Sequence, residues 1–387
     1  MRKVAIIGIG QTKVSEHWGS ALRDLGVDAL LAAMDNAGVE TVDGLYVGNM
    51  VSGMLSEQEH LGTLIAEYAG LSGIEAVKVE SACSSGAAAF RQAMLAVASG
   101  AMDCAAAVGV EKLTEYSGRK TTMALAAAAD SNYETSMGLT FVAINAMMKR
   151  RYMYEYGIEK EDFAVFPMIA HENAVHNPNA MFHYAISKED YMKSKMVAEP
   201  INLLDSSPIA DGAAAVIIIP FEDIEKFAGK AAEILACEIG TDSVALDNRD
   251  DPIYLKAVER SSLKAYKTSG LTHNDINLFE LHDAFSIISA LSLEASGFAE
   301  RGRAVNLAND HFFKVNGTLP ISTFGGLKGR GHPVGATGMY QIVEAVMQLR
   351  QEAPDKIQVD APEYAMTQNV GGSGATVVTT ILKAFKN

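Results

Sequence analysis

Three residues in this chain, one cysteine and two histidines, could do acyl chemistry, and each sits in a setting rich in small residues. Cys83 lies in SACSSG, His282 in LHDAF and His332 in GHPVGATG. A cysteine nucleophile needs a base to take its proton and donors to hold an oxyanion. The two histidines suit the first need in type. Glycine loops suit the second, and NVGGSG (Asn369–Gly374) is a third such loop, whose bare backbone can approach a ligand. Cys83 follows the strand-like run AVKVE and heads a helix broken by polar side chains only at Arg91 and Gln92 before Ser99. A helix apolar all round is buried. Its N-terminus offers free N–H groups and a positive dipole end, which favour a thiolate there. On position alone a packed structural thiol and a nucleophile are equally good readings.

The elements that must carry these residues alternate. Val4–Ile9, Gly44–Val47, Ala76–Glu80, Cys104–Val110 and Ala213–Pro220 read as buried strands. Ala21–Ala37, Glu57–Ala69 and Ser84–Ala98 carry helical spacing. The alternation predicts an α/β fold. A repeat is visible: the loop–helix–strand order of Ser81–Glu111 returns in Gly331–Gln368, and Asp211–Pro220 resembles Ser373–Leu382. The spacing leaves the first half about 70 residues longer. We therefore expect two similar halves, 1–222 and 223–387, with an inserted, mostly helical subdomain at about 113–206, within Lys112–Ser206.

Composition narrows the function. The 387 residues carry a net charge of −15, and no basic stripe interleaved with aromatics suggests nucleic acid. Three cysteines, Cys83, Cys104 and Cys237, form no CxxC pair, so a reducing, cytoplasmic setting is expected and a disulfide framework is not. Cys104 and Cys237 read as core thiols. The longest uncharged stretch, Tyr364–Leu382, reads as strands and a turn, not a membrane span. GIGQTK lacks the third glycine of a dinucleotide loop, GGLKGRG lacks a P-loop ending, and HENAVH is one residue too long for a zinc-protease motif. The run Lys149–Arg150–Arg151 reads as a solvated helix face. Met137, Met147, Met148, Met153 and Met168 either line an adaptable pocket or fill core.

SACSSG, HDAF, GGLKGRGHPVGATG and NVGGSGA, in that order, resemble the thiolase superfamily over essentially the whole chain. YVGNM, VASG, GVEK and DGAAAV resemble its archaeal-type acetyl-CoA C-acetyltransferase branch, related to the sterol-carrier-protein thiolases. The resemblance implies two fused five-stranded mixed sheets in an α-β-α-β-α layering. It implies Cys83 as the acylated nucleophile, with His332 as its base. It implies His282 and His332 around one oxyanion and the N–H groups of Cys83 and Gly371 around the other. It implies coenzyme A thioesters as substrates, no permanently bound cofactor or metal, and a homodimer or tetramer. A zinc-ribbon/OB-fold partner and an HMG-CoA synthase are implied as further subunits. One departure stands out. Ordinary thiolases carry a second cysteine where this chain has Asn369, and sterol-carrier-type enzymes place one where it has Ala284. The α-proton then needs another carrier: His282 is the expected one, His332 the alternative. A decarboxylating condensing enzyme of the ketoacyl-synthase type and a partner-dependent acyltransferase subunit are the rival readings.

Overall fold

The computed structural model describes residues 1–227 and 231–385. Along the first part of the chain run β1 (Val4–Gln11), α1 (Leu22–Ala37), β2 (Gly44–Gly48), α2 (Leu61–Tyr68), β3 (Glu75–Val79), α3 (Ser85–Ser99) and β4 (Ala105–Glu111). Next come α4 (Gly118–Ala126), α5 (Phe141–Tyr156), α6 (Val165–Ala174), α7 (Lys188–Lys193) and the short pair β5 (Met196–Ala198) and β6 (Ile201–Asn202). The chain then returns to the main sheet with β7 (Gly212–Pro220) and β8 (Ala232–Thr241). The remainder holds α8 (Lys256–Ser269), β9 (Leu278–Glu280), α9 (Ser286–Ala295), α10 (Ala304–Asn309), α11 (Thr337–Leu349), β10 (Tyr364–Gly371) and β11 (Thr376–Ala384).

Among the described residues nine strands form one sheet in the order β3-β2-β4-β7-β1-β8-β11-β10-β9, and β5 and β6 pair apart from it. Within the sheet the two halves join where β1 pairs with β8, from Val4↔Ile234 to Ile6↔Ala232. The first half contributes five strands. The second contributes four, and the fifth expected there is reduced to the single bridge Phe279–Ile321.

Side-chain alternation explains the layering, since successive residues of a strand face opposite sides. In β7, Ala214, Val216 and Ile218 enter a core shared with α3 and α11, while Ala213, Ala215, Ile217 and Ile219 pack with α1 and α2. In β11, Val378 and Leu382 enter that same shared core, while Val377 and Ile381 pack with α8 and α9. The result is five layers: α1 and α2, the first half-sheet, α3 with α11, the second half-sheet, then α8 and α9. This is the α-β-α-β-α arrangement expected.

Some expectations change. The helix expected from Glu57 begins at Leu61, because Glu57 and His60 are left-handed (φ 53° and 54°), which breaks helical geometry. Cys104 is partly exposed just ahead of β4, not in mid-strand. Cys237 is buried in β8, as expected. The presumed solvated run starts with Lys149, which is fully buried and bonded at 2.9 Å to both carboxylate oxygens of Asp205. Its charge-bearing neighbours in the fold, not its neighbours in sequence, decide its place.

Candidate active site

Cys83 sits on a strained strand-to-helix turn. After β3 the chain reverses at Ala82, which is left-handed at φ 49°. A residue with a Cβ is held there only when its surroundings over-determine it. Three serines supply the constraint. Ser84 Oγ bonds the Ser81 carbonyl at 2.5 Å, Ser85 Oγ bonds the Ala82 carbonyl at 2.6 Å, and the Ser81 N–H donates to Ser85 Oγ at 2.9 Å. Small hydroxylated residues around the cysteine thus hold the turn as well as leaving space beside it.

His332 follows the left-handed Gly331 (φ 111°) in the turn before α11. Its Nδ1 lies 2.7 Å from Oγ1 of Thr337, the first residue of α11. His282 follows β9, and its Nδ1 lies 3.1 Å from Nδ2 of Asn369 on the neighbouring strand β10. The two imidazoles meet edge to face with centroids 5.2 Å apart. Cys83, His282, His332 and Gly372 line one cavity of about 230 Å³. Leu125, Phe141 and Val142 wall it from the inserted region, and Ala284, Ile288 and Val370 from the second half.

Gly-on-backbone contact joins the turns that carry Cys83 and His332. A Cβ on Gly86 would lie 2.7 Å from the Gly335 carbonyl, and one on Gly335 would lie 2.8 Å from the Met50 nitrogen. Glu111, at the end of β4, ties the same parts together. Its carboxylate accepts from Met50 N–H at 2.8 Å, Asn49 Nδ2 at 2.8 Å and Gly335 N–H at 3.1 Å. Burial pushes this carboxyl up to about 7 despite those donors.

The electrostatics are those of a dry site. Cys83 keeps a partly exposed face, but burial of its thiol pushes the pKa up to about 12. The Gly372 N–H and its own N–H pull the other way, while Glu111 and Glu80 add to the rise. The expected stabilisation of a thiolate at the helix head is therefore outweighed by desolvation. Burial lowers His282 to about 3, with Lys328 and Arg330 adding to it, and holds His332 well below its ordinary value. At rest the site holds a neutral thiol and two neutral imidazoles.

Gly326–Arg330 form one wide helical turn that buries two cations beside the histidines. Lys328 Nζ donates to the carbonyls of Asp205 (2.9 Å) and Asp283 (2.5 Å), and burial lowers it to about 8. Arg330 pairs with Glu344 at 2.5 Å.

The N–H that reaches the Cys83 sulfur belongs to Gly372, one residue beyond Gly371. Gly371 closes β10, and its carbonyl accepts the N–H groups of Gly374 (3.3 Å) and Ala375 (3.1 Å). The five methionines do not line the cavity. Met148 is core, Met153 and Met168 pack against it, and Met137 and Met147 are exposed. His171 is buried and stacks on Phe182, while its motif partner His176 makes no site with it. Among the described residues no three His, Cys, Asp or Glu side chains cluster to hold a metal. Among them, too, no helix is long and apolar enough to cross a membrane. Sequence reasoning missed Thr337, Glu111, Gly372 and the two buried cations. The Thr in GHPVGAT, five residues past His332, is the signal that could have revealed the first.

A thiol on a strained turn, facing two neutral imidazoles across a seam between similar halves, defines a condensing or thiolytic acyltransferase. Residues 4–222 match the thiolase N-terminal domain, and residues 239–384 match the thiolase C-terminal domain-like family. The chain is 44% identical to an acetyl-CoA acetyltransferase of Methanothermobacter thermautotrophicus, covering 98% of this chain and 99% of the relative. It is 33% identical to the benzoylsuccinyl-CoA thiolase subunit BbsB of Thauera aromatica, over 96% and 95% of the two chains. It is 31% identical to human sterol carrier protein 2, covering 100% of this chain and 73% of that one. Among solved structures, the Ltp2-ChsH2(DUF35) aldolase superposes with a TM-score of 0.86 at 26% identity, over 100% of this chain and 98% of the other. The acetyl-CoA acetyltransferase of Syntrophomonas wolfei superposes with a TM-score of 0.76 at 16% identity, over 99% and 100%, and so shares the fold. The chain belongs to the thiolase family. It is an enzyme with thiolase activity.

Proposed function

We propose that the enzyme interconverts two acetyl-CoA with acetoacetyl-CoA plus CoA through an acyl-Cys83 thioester. The observation that carries this is the shared cavity of Cys83, His282, His332 and Gly372. In the thiolytic direction His332 takes the Cys83 proton and the sulfur attacks the β-keto carbonyl. The N–H groups of Cys83 and of the Gly371–Gly372 turn hold the tetrahedral oxyanion. Carbon–carbon cleavage releases acetyl-CoA, and CoA then takes the acyl group from Cys83. Splitting one difficult step into two acyl transfers is the gain of covalent catalysis.

Two buried polar atoms on the cavity wall suit the pantetheine arm. Asn145 donates to the Phe141 carbonyl at 2.9 Å, which leaves its Oδ1 unpartnered, and Ser206 Oγ is likewise unpartnered. An amide N–H and C=O would satisfy the pair. The cavity exceeds the roughly 150 Å³ that holds a benzene ring in a core, so longer 3-oxoacyl chains fit the same reading. A second subunit, as in the Ltp2-ChsH2(DUF35) assembly, and self-association belong to the proposal as well.

The retro-aldol reading suggested by that aldolase needs no thioester. Incubation with acetyl-CoA followed by intact-protein and peptide mass spectrometry decides between them. One acetyl group on Cys83, removed by CoA and absent in Cys83→Ala, is the expected result. Turnover of acetoacetyl-CoA by Cys83→Ala at the wild-type rate would exclude the proposal.

A further inference from the structure

Asn369 occupies the place of the missing second cysteine, and its amide has an orientation. The residue is buried (1% exposed). Its nitrogen faces Nδ1 of His282 at 3.1 Å, and its oxygen meets no partner. An amide N–H donates and cannot accept, so Nδ1 of His282 carries the lone pair and a neutral ring keeps its proton on Nε2. His332 has the opposite arrangement. Its Nδ1 is 2.7 Å from Thr337 Oγ1, whose own hydrogen has the Pro333 carbonyl 3.3 Å away. Nδ1 then donates to the hydroxyl, and Nε2 holds the lone pair.

We propose that Asn369 fixes His282 as an Nε2–H donor, and that His332 alone carries the proton through both halves of the cycle. The inference rests on the thiolase reading above. It reverses the expectation that His282 moves the α-proton. The balance closes without a second cysteine. The Cys83 proton passes to His332 as the sulfur attacks the 3-oxoacyl carbonyl. The tetrahedral intermediate collapses, the Cα–Cβ bond breaks, and the acetyl-CoA enolate forms with its oxygen on His282 Nε2–H. The imidazolium of His332 gives its proton to the enolate carbon, and neutral acetyl-CoA leaves. The CoA thiol then gives its proton to His332 and attacks the acyl-Cys83 carbonyl. The Cys83 sulfur departs and recovers that proton.

Among the described residues no carboxylate competes with Asn369 for Nδ1 of His282. His282 faces the cations Lys328 and Arg330, the neutral ring of His332 and the amide of Asn369. The nearby carboxylates are engaged elsewhere: Asp283 accepts the Leu327 N–H at 2.6 Å, and Glu280 accepts the Thr323 N–H at 2.9 Å. The same two cations stand beside His332, so the Nδ1 partners of the two rings, and not the charges around them, separate their roles. Asn369 is accordingly a positioning residue, acting through His282.

Long-range proton–nitrogen NMR of the ring nitrogens in the full chain reads the tautomers directly. The expected result is Nε2–H on His282 and Nδ1–H on His332. Asn369→Asp replaces the donor by an acceptor and moves the His282 proton to Nδ1. It should slow acetyl-CoA methyl exchange in D₂O by about 10²-fold, the usual cost of one oxyanion donor, while acyl-Cys83 still forms. His282→Asn keeps a donor and should stay within about tenfold of wild type, whereas His282→Ala should lose about 10²-fold. Nδ1–H on wild-type His282, or His282→Asn as slow in exchange as His282→Ala, would overturn the inference while acyl-Cys83 still formed. Failure of wild type to acylate Cys83 would instead overturn the thiolase reading beneath it.

Discussion

At the scale of single residues the site is neutral at rest, and this has a measurable signature. With the Cys83 thiol pushed up to about 12, the thiolate fraction rises tenfold per pH unit across the neutral range. Alkylation of Cys83 by iodoacetamide should therefore be slow at pH 7 and climb about tenfold per unit through pH 9. A rate that levels off below pH 8 would indicate a standing thiolate–imidazolium pair and contradict this picture. That Cys83, His282 and His332 belong to one site was legible, because they sit in small-residue motifs at element junctions, and they line one cavity. Their protonation states were not. Those depend first on burial, then on Lys328, Arg330 and Glu111; the two cations stand within four residues of His332, but nothing in GGLKGRG shows that they are buried against the histidines. Lys149 makes the same point. Its burial against Asp205 follows from folding of the inserted region and leaves no mark in a run of three basic residues.

At the scale of elements, precision comes from backbone touching backbone. Gly86 on α3 faces the Gly335 carbonyl in the turn before α11, and Gly109 on β4 faces Ala336. A methyl at Gly86 has nowhere to go, because the opposing atom is main chain. Gly86→Ala should destabilise the fold by about 1–3 kcal/mol, the usual range for overpacking. It should also lower kcat by more than the lost folded fraction explains, since it separates Cys83 from His332. Chemical denaturation with parallel kinetics on the folded protein checks both. An unchanged kcat would mean that the turns adjust independently. The alternation of strands and helices was readable from apolar runs, and so was the repeat that puts α3 and α11 in equivalent places. The start of α2 was not, because a left-handed Glu57 and His60 carry no compositional signal.

At the scale of the molecule, α3 and α11 lie between the half-sheets and share one core drawn from both. Neither half covers that surface alone. A fragment ending at residue 222 should expose it and aggregate, while co-expression with the complementary fragment should restore soluble, active protein. A soluble, cooperatively folding N-terminal fragment would contradict the shared-core argument. The repeat pointed to two similar halves, and the resemblance to the thiolase superfamily implied the five layers. The narrow β1–β8 seam was not foreseeable, because its pairing joins residues about 230 positions apart, and no local pattern encodes such a register. The equivalence of α3 and α11 has one more consequence. Cys83 and His332 stand at matching points of the two copies, each at the head of the helix that faces the other. A symmetric pair of identical halves could present only thiol to thiol, or imidazole to imidazole, across that gap. Joining the halves in one chain frees the two points to diverge, so an acid–base couple can form where symmetry alone would permit a matched set.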